Sequence, residues 1–185
     1  MSHLKRIIAV MVGSESDLKK CLKGLKYLKD MEDRHIIGNI EVGVYSIHRN
    51  TERVLAKVRS LVRRKVDVLI VGAGMANHLT GTVDAYLRHT LKNSHVVVVG
   101  VAFEGINEAH NMAATLGISC VPGSQVVFEN FCGSEGFFRA CKFAVIGNLP
   151  LIKIPESKPT ATYSLAEAIE FVEKEALALG EKHKS

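Results

Sequence analysis

His48-Arg49 stands one residue beyond the strand-like run Asn39–Ser46. An imidazole there can exchange a proton near neutral pH, and a guanidinium can clamp a phosphate or carboxylate bidentately. A surface histidine beside a solvated arginine is the plainer alternative. Two other segments carry similar chemistry. In Val12-Gly-Ser-Glu-Ser-Asp17, Gly13 permits a tight turn, while Ser14, Ser16 and Asp17 open a helix whose free N–H groups favour an anion. Hydroxyls there suit a phosphate or ribose, and Asp17 suits a ribose hydroxyl or ring nitrogen; ordinary N-capping explains the same residues. In Val71-Gly-Ala-Gly-Met-Ala-Asn-His-Leu-Thr-Gly81, small residues allow close backbone approach to a ligand, and Asn77 and His78 add polar atoms. This is neither a GxGxxG fingerprint nor a Walker loop, so ATP use has no support, and a plain strand-to-helix turn is the alternative.

The elements that must position these residues alternate. Strand patterns at Arg6–Val12, Asn39–Ser46, Val66–Val71 and His95–Phe103 are separated by helical patterns at Asp17–Asp30, Asn50–Arg64 and Ala76–Leu91. Ile106–Leu116 reads as a helix, Ile118–Phe128 as containing a fifth strand, and Glu135–Ile146 as another helix. Alternation with short connections predicts right-handed crossovers and an α/β fold: a flavodoxin-like three-layer sandwich around a central parallel sheet. In such sheets ligands sit beyond the carboxyl ends of the strands, where all three segments fall. Residues 1–155 are expected to form this domain. Residues 156–185 read as a polar linker and a C-terminal helical arm packing on the domain or a neighbouring subunit. The arm has a capping box at Ser164-Leu-Ala-Glu167, a stripe at Leu165, Ala168, Ile169, Val172 and Ala176, and Gly180 as its stop.

Composition narrows the function classes. The 185 residues are 47% hydrophobic and 23% charged, an ordinary globular mixture. No apolar run reaches the roughly 20 residues of a membrane span. Met1-Ser-His-Leu-Lys-Arg-Ile-Ile leads straight into a strand pattern with no secretory signal, so a soluble cytoplasmic protein is expected. The four cysteines, at 21, 120, 132 and 141, show no CxxC spacing and read as reduced thiols. The eight histidines include no HxxxH or HExxH pair, so no metal site is expected. Of the net charge of +5, much comes from Lys19, Lys20, Lys23, Lys26 and Lys29 on the first helix, read as a solvated face without aromatic partners. Nucleic acid is therefore not an expected partner; anionic metabolites are.

Together the three segments resemble the class I N5-carboxyaminoimidazole ribonucleotide mutases of purine biosynthesis, also called the catalytic subunit of phosphoribosylaminoimidazole carboxylase. The family's GSxSD, SAHRTP and AGAGGAAHLPG motifs stand here as Gly13-Ser-Glu-Ser-Asp17, Ser46-Ile-His-Arg-Asn-Thr51 and Val71–Gly81. The resemblance implies an isomerase that moves a carboxylate from the exocyclic nitrogen to ring carbon C4, without cofactor or metal, in a homo-octamer. By motif position, His48 is then the general acid/base. Gly13, Ser14, Ser16, Asp17, Ser46 and Arg49 hold the ribonucleotide, and Gly72, Ala73, Gly74, Met75, Ala76, Asn77, His78 and Leu79 line the carboxylate pocket. Ile47, Asn50, Thr51, Met75, Asn77 and Thr80 depart from the motifs. The second half diverges: Glu104-Gly-Ile-Asn107 stands for the family's SGxD, and Gln-Met-Pro is missing. Two alternatives stay open: a non-catalytic nucleotide-binding paralogue, and a related carboxylase or lyase. The latter would use CO2 directly or act on another heteroaromatic mononucleotide, a branch echoed by Glu41-Val-Gly-Val-Tyr-Ser-Ile-His-Arg49.

Overall fold

The computed structural model describes residues 5–156 and 159–182. Residues 1–4, read above as leading into the first strand, and 157–158 of the linker lie outside them. The chain divides into two compact units, Met1–Pro155 and Glu156–Ser185.

The first unit is built on four parallel strands in the order β2-β1-β3-β4. These are β1 (Ile8–Val12), β2 (Glu41–Val44), β3 (Val68–Ala73) and β4 (Val97–Ala102). Every residue of β1, β3 and β4 is buried, as continuous apolar runs demand when helices cover both faces. β2 alternates half-buried and exposed positions, the mark of an edge strand. Val10 pairs with Val42 on one side and Ile70 on the other, and Ile70 with Val99.

Because successive side chains point to opposite faces, the same strands feed two cores. Val10, Val12, Ile70, Val99 and Val101 pack with Leu28 and Met31 of α2 (Leu22–Asp33) and with Phe137 and Cys141 of α6 (Gly133–Ile146). On the other face Ala9, Met11, Leu69, Val71 and Val98 meet Val54, Val58 and Leu61 of α3 (Thr51–Arg63) and Leu79 and Val83 of α4 (His78–Ala85). α5 (Glu108–Ser119) closes the sheet end beside α4 and β4 through Ala114 and Ile118.

Three expectations are revised. The helix expected over Asp17–Asp30 is split into α1 (Glu15–Leu18), a 3-10 turn at Lys19–Cys21, and α2. The strand expected within Ile118–Phe128 is reduced to a single parallel bridge, Val99 to Val127, with a second, Ala102 to Cys132, beyond that stretch. Ile118 and Ser119 complete α5, and the turn at Pro122-Gly123, with Gly123 at φ +71°, consumes the chain that a longer strand would need. The helix expected over Ala76–Leu91 starts at His78 and changes pitch at Tyr86–Thr90 into a π-helical turn. That turn holds Arg88, fully buried, on Asp84 Oδ1 at 3.0 Å and on the carbonyls of Asn93 and Val96 at 2.7 and 2.8 Å.

The second unit carries α7 (Leu165–Lys182). Its capping box forms: Glu167 Oε2 accepts from Ser164 N and Oγ, both at 2.7 Å, and Glu167 N donates back to Ser164 Oγ at 3.3 Å. The helix runs through Gly180 instead of stopping there. A helical glycine costs about 1 kcal/mol relative to alanine, too little to end a helix by itself. Leu165, Ile169 and Val172 of the stripe are 80%, 51% and 63% exposed.

Candidate functional site

The carboxyl ends of the four strands open onto one cavity of about 780 Å³. Strand β1 delivers its wall first. Gly13 N extends the ladder by donating to Gly72 O at 2.9 Å, and a Cβ on Gly13 would stand 2.9 Å from the Ala73 Cβ. Only glycine lets the two strand ends close together here. Ser14 caps α1, accepting from Asp17 N at 3.2 Å. Its Oγ donates to Asp17 Oδ2 at 2.7 Å and lies 2.7 Å from Ser16 Oγ. Cap and cavity wall are therefore the same residues, and Asp17 is nearly buried beneath the hydroxyls.

The β2 end is set by an anchor. Ile47 is buried in the core under β1 and β3, and its carbonyl accepts from Thr51 Oγ1 at 2.5 Å. With Ile47 held down, Ser46 and His48 line the cavity while Arg49 is exposed and does not.

After β3, Ala73, Gly74, Met75, Ala76, Asn77, His78 and Leu79 all border the cavity. Gly72 does not; it lies inside the sheet, where a Cβ would stand 2.6 Å from the Phe103 ring. Met75 and Asn77 adopt left-handed backbone, φ 53° and 44°. Asn77 is 1% exposed, and its amide is used within the fold: Nδ2 donates to Val101 O at 2.9 Å, and Oδ1 accepts from Thr80 Oγ1 at 2.8 Å. It shapes the loop from below instead of presenting its amide to a ligand. Behind the loop, a Cβ on Gly117 of α5 would stand 1.9 Å from the Ala76 carbonyl oxygen, so this helix can press against the loop only through a glycine.

His78, at the first turn of α4, meets His48 across the cavity: His78 Nδ1 lies 2.9 Å from His48 Nε2, with ring centroids 4.9 Å apart at 62°. One ring donates and the other accepts, so the contact fixes a complementary pair of tautomers.

The cavity also has walls that the sequence reading left out. Lys20, Ile47, Glu104, Gly105, Ile106 and His110 line it. The β4 end obeys the same strand-end rule as the other three, and that rule applied to Phe103-Glu104 was the available signal. Here Gly105 N donates to Asn111 Oδ1 at 2.7 Å, and Asn107 caps α5 by accepting from His110 N at 3.0 Å. Lys20 had been read as part of a solvated face. The 3-10 turn shifts the helical phase there and leaves Lys20 half-buried, donating to the Glu104 carbonyl.

The arrangement combines hydroxyls and a carboxylate at one strand end, an imidazole pair across the middle and a small-residue loop beneath. It matches known proteins over the same stretch. The AIR carboxylase family model matches residues 7–123, which include every residue lining the cavity. The N5-carboxyaminoimidazole ribonucleotide mutase of Pyrococcus abyssi is 36% identical over 151 residues, covering 82% of this chain and 77% of that one. The phosphoribosylaminoimidazole carboxylase of Saccharomyces cerevisiae is 31% identical over 109 residues, 59% of this chain but 18% of that longer protein. The crystal structure of Treponema denticola PurE has the same fold, with a TM-score of 0.50 at 17% identity over 76% of this chain and 87% of that one. This chain belongs to the AIR carboxylase family.

Proposed function

We propose that the cavity binds N5-carboxyaminoimidazole ribonucleotide and moves its carboxylate from the exocyclic nitrogen to ring carbon C4, as a cytoplasmic enzyme of purine biosynthesis. The cavity volume is in the range of small-molecule sites and suits a mononucleotide. Ser14, Ser16 and Asp17 are assigned to the ribose-phosphate end, and Ala73–Leu79 to the carboxylate. Loss of the N-carboxylate leaves CO2 beside an electron-rich aminoimidazole. Confinement turns their recombination at C4 into a positioned encounter. One proton must leave C4 and one must reach the exocyclic nitrogen, so a single base that keeps the proton balances the reaction without a cofactor. His48 is that base, and His78 holds its ring in place.

The observation that carries this reading is the His48–His78 pair at 2.9 Å on the wall of the cavity formed by the β1 and β3 turns. The test is direct conversion of the N-carboxylated nucleotide by purified protein without ATP. His48→Asn should lower kcat by about 10²–10⁴-fold with an unchanged melting temperature. Undiminished turnover in that variant would remove the role.

The segment Glu41–Arg49, which echoes another branch of the family, supports a second reading, the same carboxyl chemistry on another heteroaromatic mononucleotide. A substrate panel sharing the ribose phosphate and varying the ring decides between them. The family resemblance and the exposed stripe of α7 also support a homo-oligomer, an octamer by analogy.

A further inference from the structure

Three imidazoles border the cavity, and the proposed reaction uses two of them, His48 and His78. We propose that the third, His110, donates a hydrogen bond to the substrate's carboxylate and so distinguishes a carboxylated ring from a decarboxylated one. The assignment rests on a carboxylated mononucleotide occupying this cavity.

The turn between β4 and α5 is built around this side chain. Asn107 Oδ1 accepts from the His110 backbone N–H at 3.0 Å, and Asn111 Oδ1 holds Gly105 N at 2.7 Å. A Cβ on Gly105 would stand 2.4 Å from the His110 Cβ and 3.1 Å from its Cγ, so the ring can lie against the turn only because residue 105 is glycine. The half-buried ring accepts from Ile106 N through Nδ1 at 3.4 Å. In a neutral imidazole the other nitrogen then carries the hydrogen, which leaves Nε2–H as a donor. That nitrogen has no partner among the described residues. A positioned donor on a cavity wall, unused by the fold, is a place for a ligand's acceptor.

The order of the strands points to which acceptor. The Ser14, Ser16 and Asp17 turn follows β1 and His110 follows β4, two strands away in the order β2-β1-β3-β4. Neighbouring strands lie about 4.8 Å apart, so the two strand ends are separated by roughly 10 Å. A mononucleotide with its ribose-phosphate at the first turn reaches toward the second with the far edge of its ring. The charges at the β4 end suit an anion there. Lys20 Nζ is fixed on the Glu104 carbonyl, while the Glu104 carboxylate lies toward the start of α6, where a Cβ on Gly133 would stand 2.6 Å from its Oε1. A bond from the imidazole to a carboxylate oxygen is charge-assisted, and a decarboxylated ring has no such oxygen to offer.

The experiment measures the affinities of the C4-carboxylated and the decarboxylated aminoimidazole ribonucleotides, by calorimetry, for wild type, His110→Phe and His110→Gln. The two ligands share their ribose-phosphate, so contacts at that end cancel in the comparison. His110→Phe keeps a ring against Gly105 and removes the donor; it is expected to weaken the carboxylated nucleotide by about tenfold or more and to leave the decarboxylated one unchanged. His110→Gln, which keeps a donor, should retain most of the preference. If His110→Phe does not fold, His110→Ala is read in its place. Wild-type affinity for the carboxylated nucleotide in that variant overturns the assignment, as does an equal loss for both ligands, which a merely structural role would give. A carboxylate preference that depends on His110, without turnover of the N-carboxylated nucleotide, leaves His110 in place and removes the carboxyl-shift reading. Binding of neither nucleotide by wild type removes the mononucleotide reading and this assignment together.

Discussion

Single residues separate along one line: whether the backbone turns them into the cavity or into the protein. His48 and Ser14 drew notice in the sequence as polar side chains just past apolar strands, and both border the cavity. Asn77, in the turn after β3, met the same criterion, yet its amide satisfies Val101 O and Thr80. A spacing pattern does not report the left-handed φ that sends it downward. The cysteines divide likewise. Burial pushes the Cys21 thiol up to about 12, with Asp17 adding to the effect, and burial raises Cys141 well above its ordinary value. Cys120 and Cys132 are exposed. Since the thiolate is the reactive form, iodoacetamide at pH 8 should label Cys120 and Cys132 of the native protein and leave Cys21 and Cys141 intact. Peptide mass spectrometry checks this, and early labelling at position 21 would contradict the buried setting.

At the level of elements, the alternation of strand and helix was readable because β1, β3 and β4 are buried on both faces and therefore uniformly apolar. What was not readable was that the expected fifth strand shrinks to isolated bridges, since β-branched residues such as Val121, Val126 and Val127 suit a bridge as well as a ladder. The π-helical turn after α4 was equally hidden. Its signature is the buried i,i+4 pairing of Arg88 with Asp84, whose Oδ2 also accepts from the distant Gln125 N at 2.9 Å. Arg88→Ala would leave a buried carboxylate alone and should cost about 3–5 kcal/mol, read as a lowered urea midpoint. On the edge of the sheet, Lys57, first, and Arg64 hold the Glu41 carboxyl below its ordinary 4.5. A depressed carboxylate stabilises the fold above its unfolded value, and the increment is lost as pH falls through the folded one. The melting-temperature gap between wild type and Glu41→Gln should therefore be present at pH 7 and shrink toward pH 3.

For the molecule as a whole, a proline-bearing polar stretch near Pro155 separates two differently patterned regions of the sequence. Contacts divide the chain into Met1–Pro155 and Glu156–Ser185. The apolar row on α7 is too exposed to be explained by its own unit, in which the Tyr163–Phe171 stack at 5.6 Å is the one ring pairing among described residues. Assembly through it predicts a particle larger than one chain by light scattering. Ile169→Asp with Val172→Asp should shrink that particle while leaving the far-ultraviolet circular dichroism unchanged.

The hydrogen atom at position 117 has a wider reach than its size implies. A methyl group there would meet the Ala76 oxygen head-on, and the loop carrying Met75 and His78 would have to give way. The floor of the cavity is therefore gauged from the rear, by a helix turn outside its lining. Variation in α5 offers a means of retuning the imidazole pair by mechanical displacement, with every chemical group in the chamber left as it is.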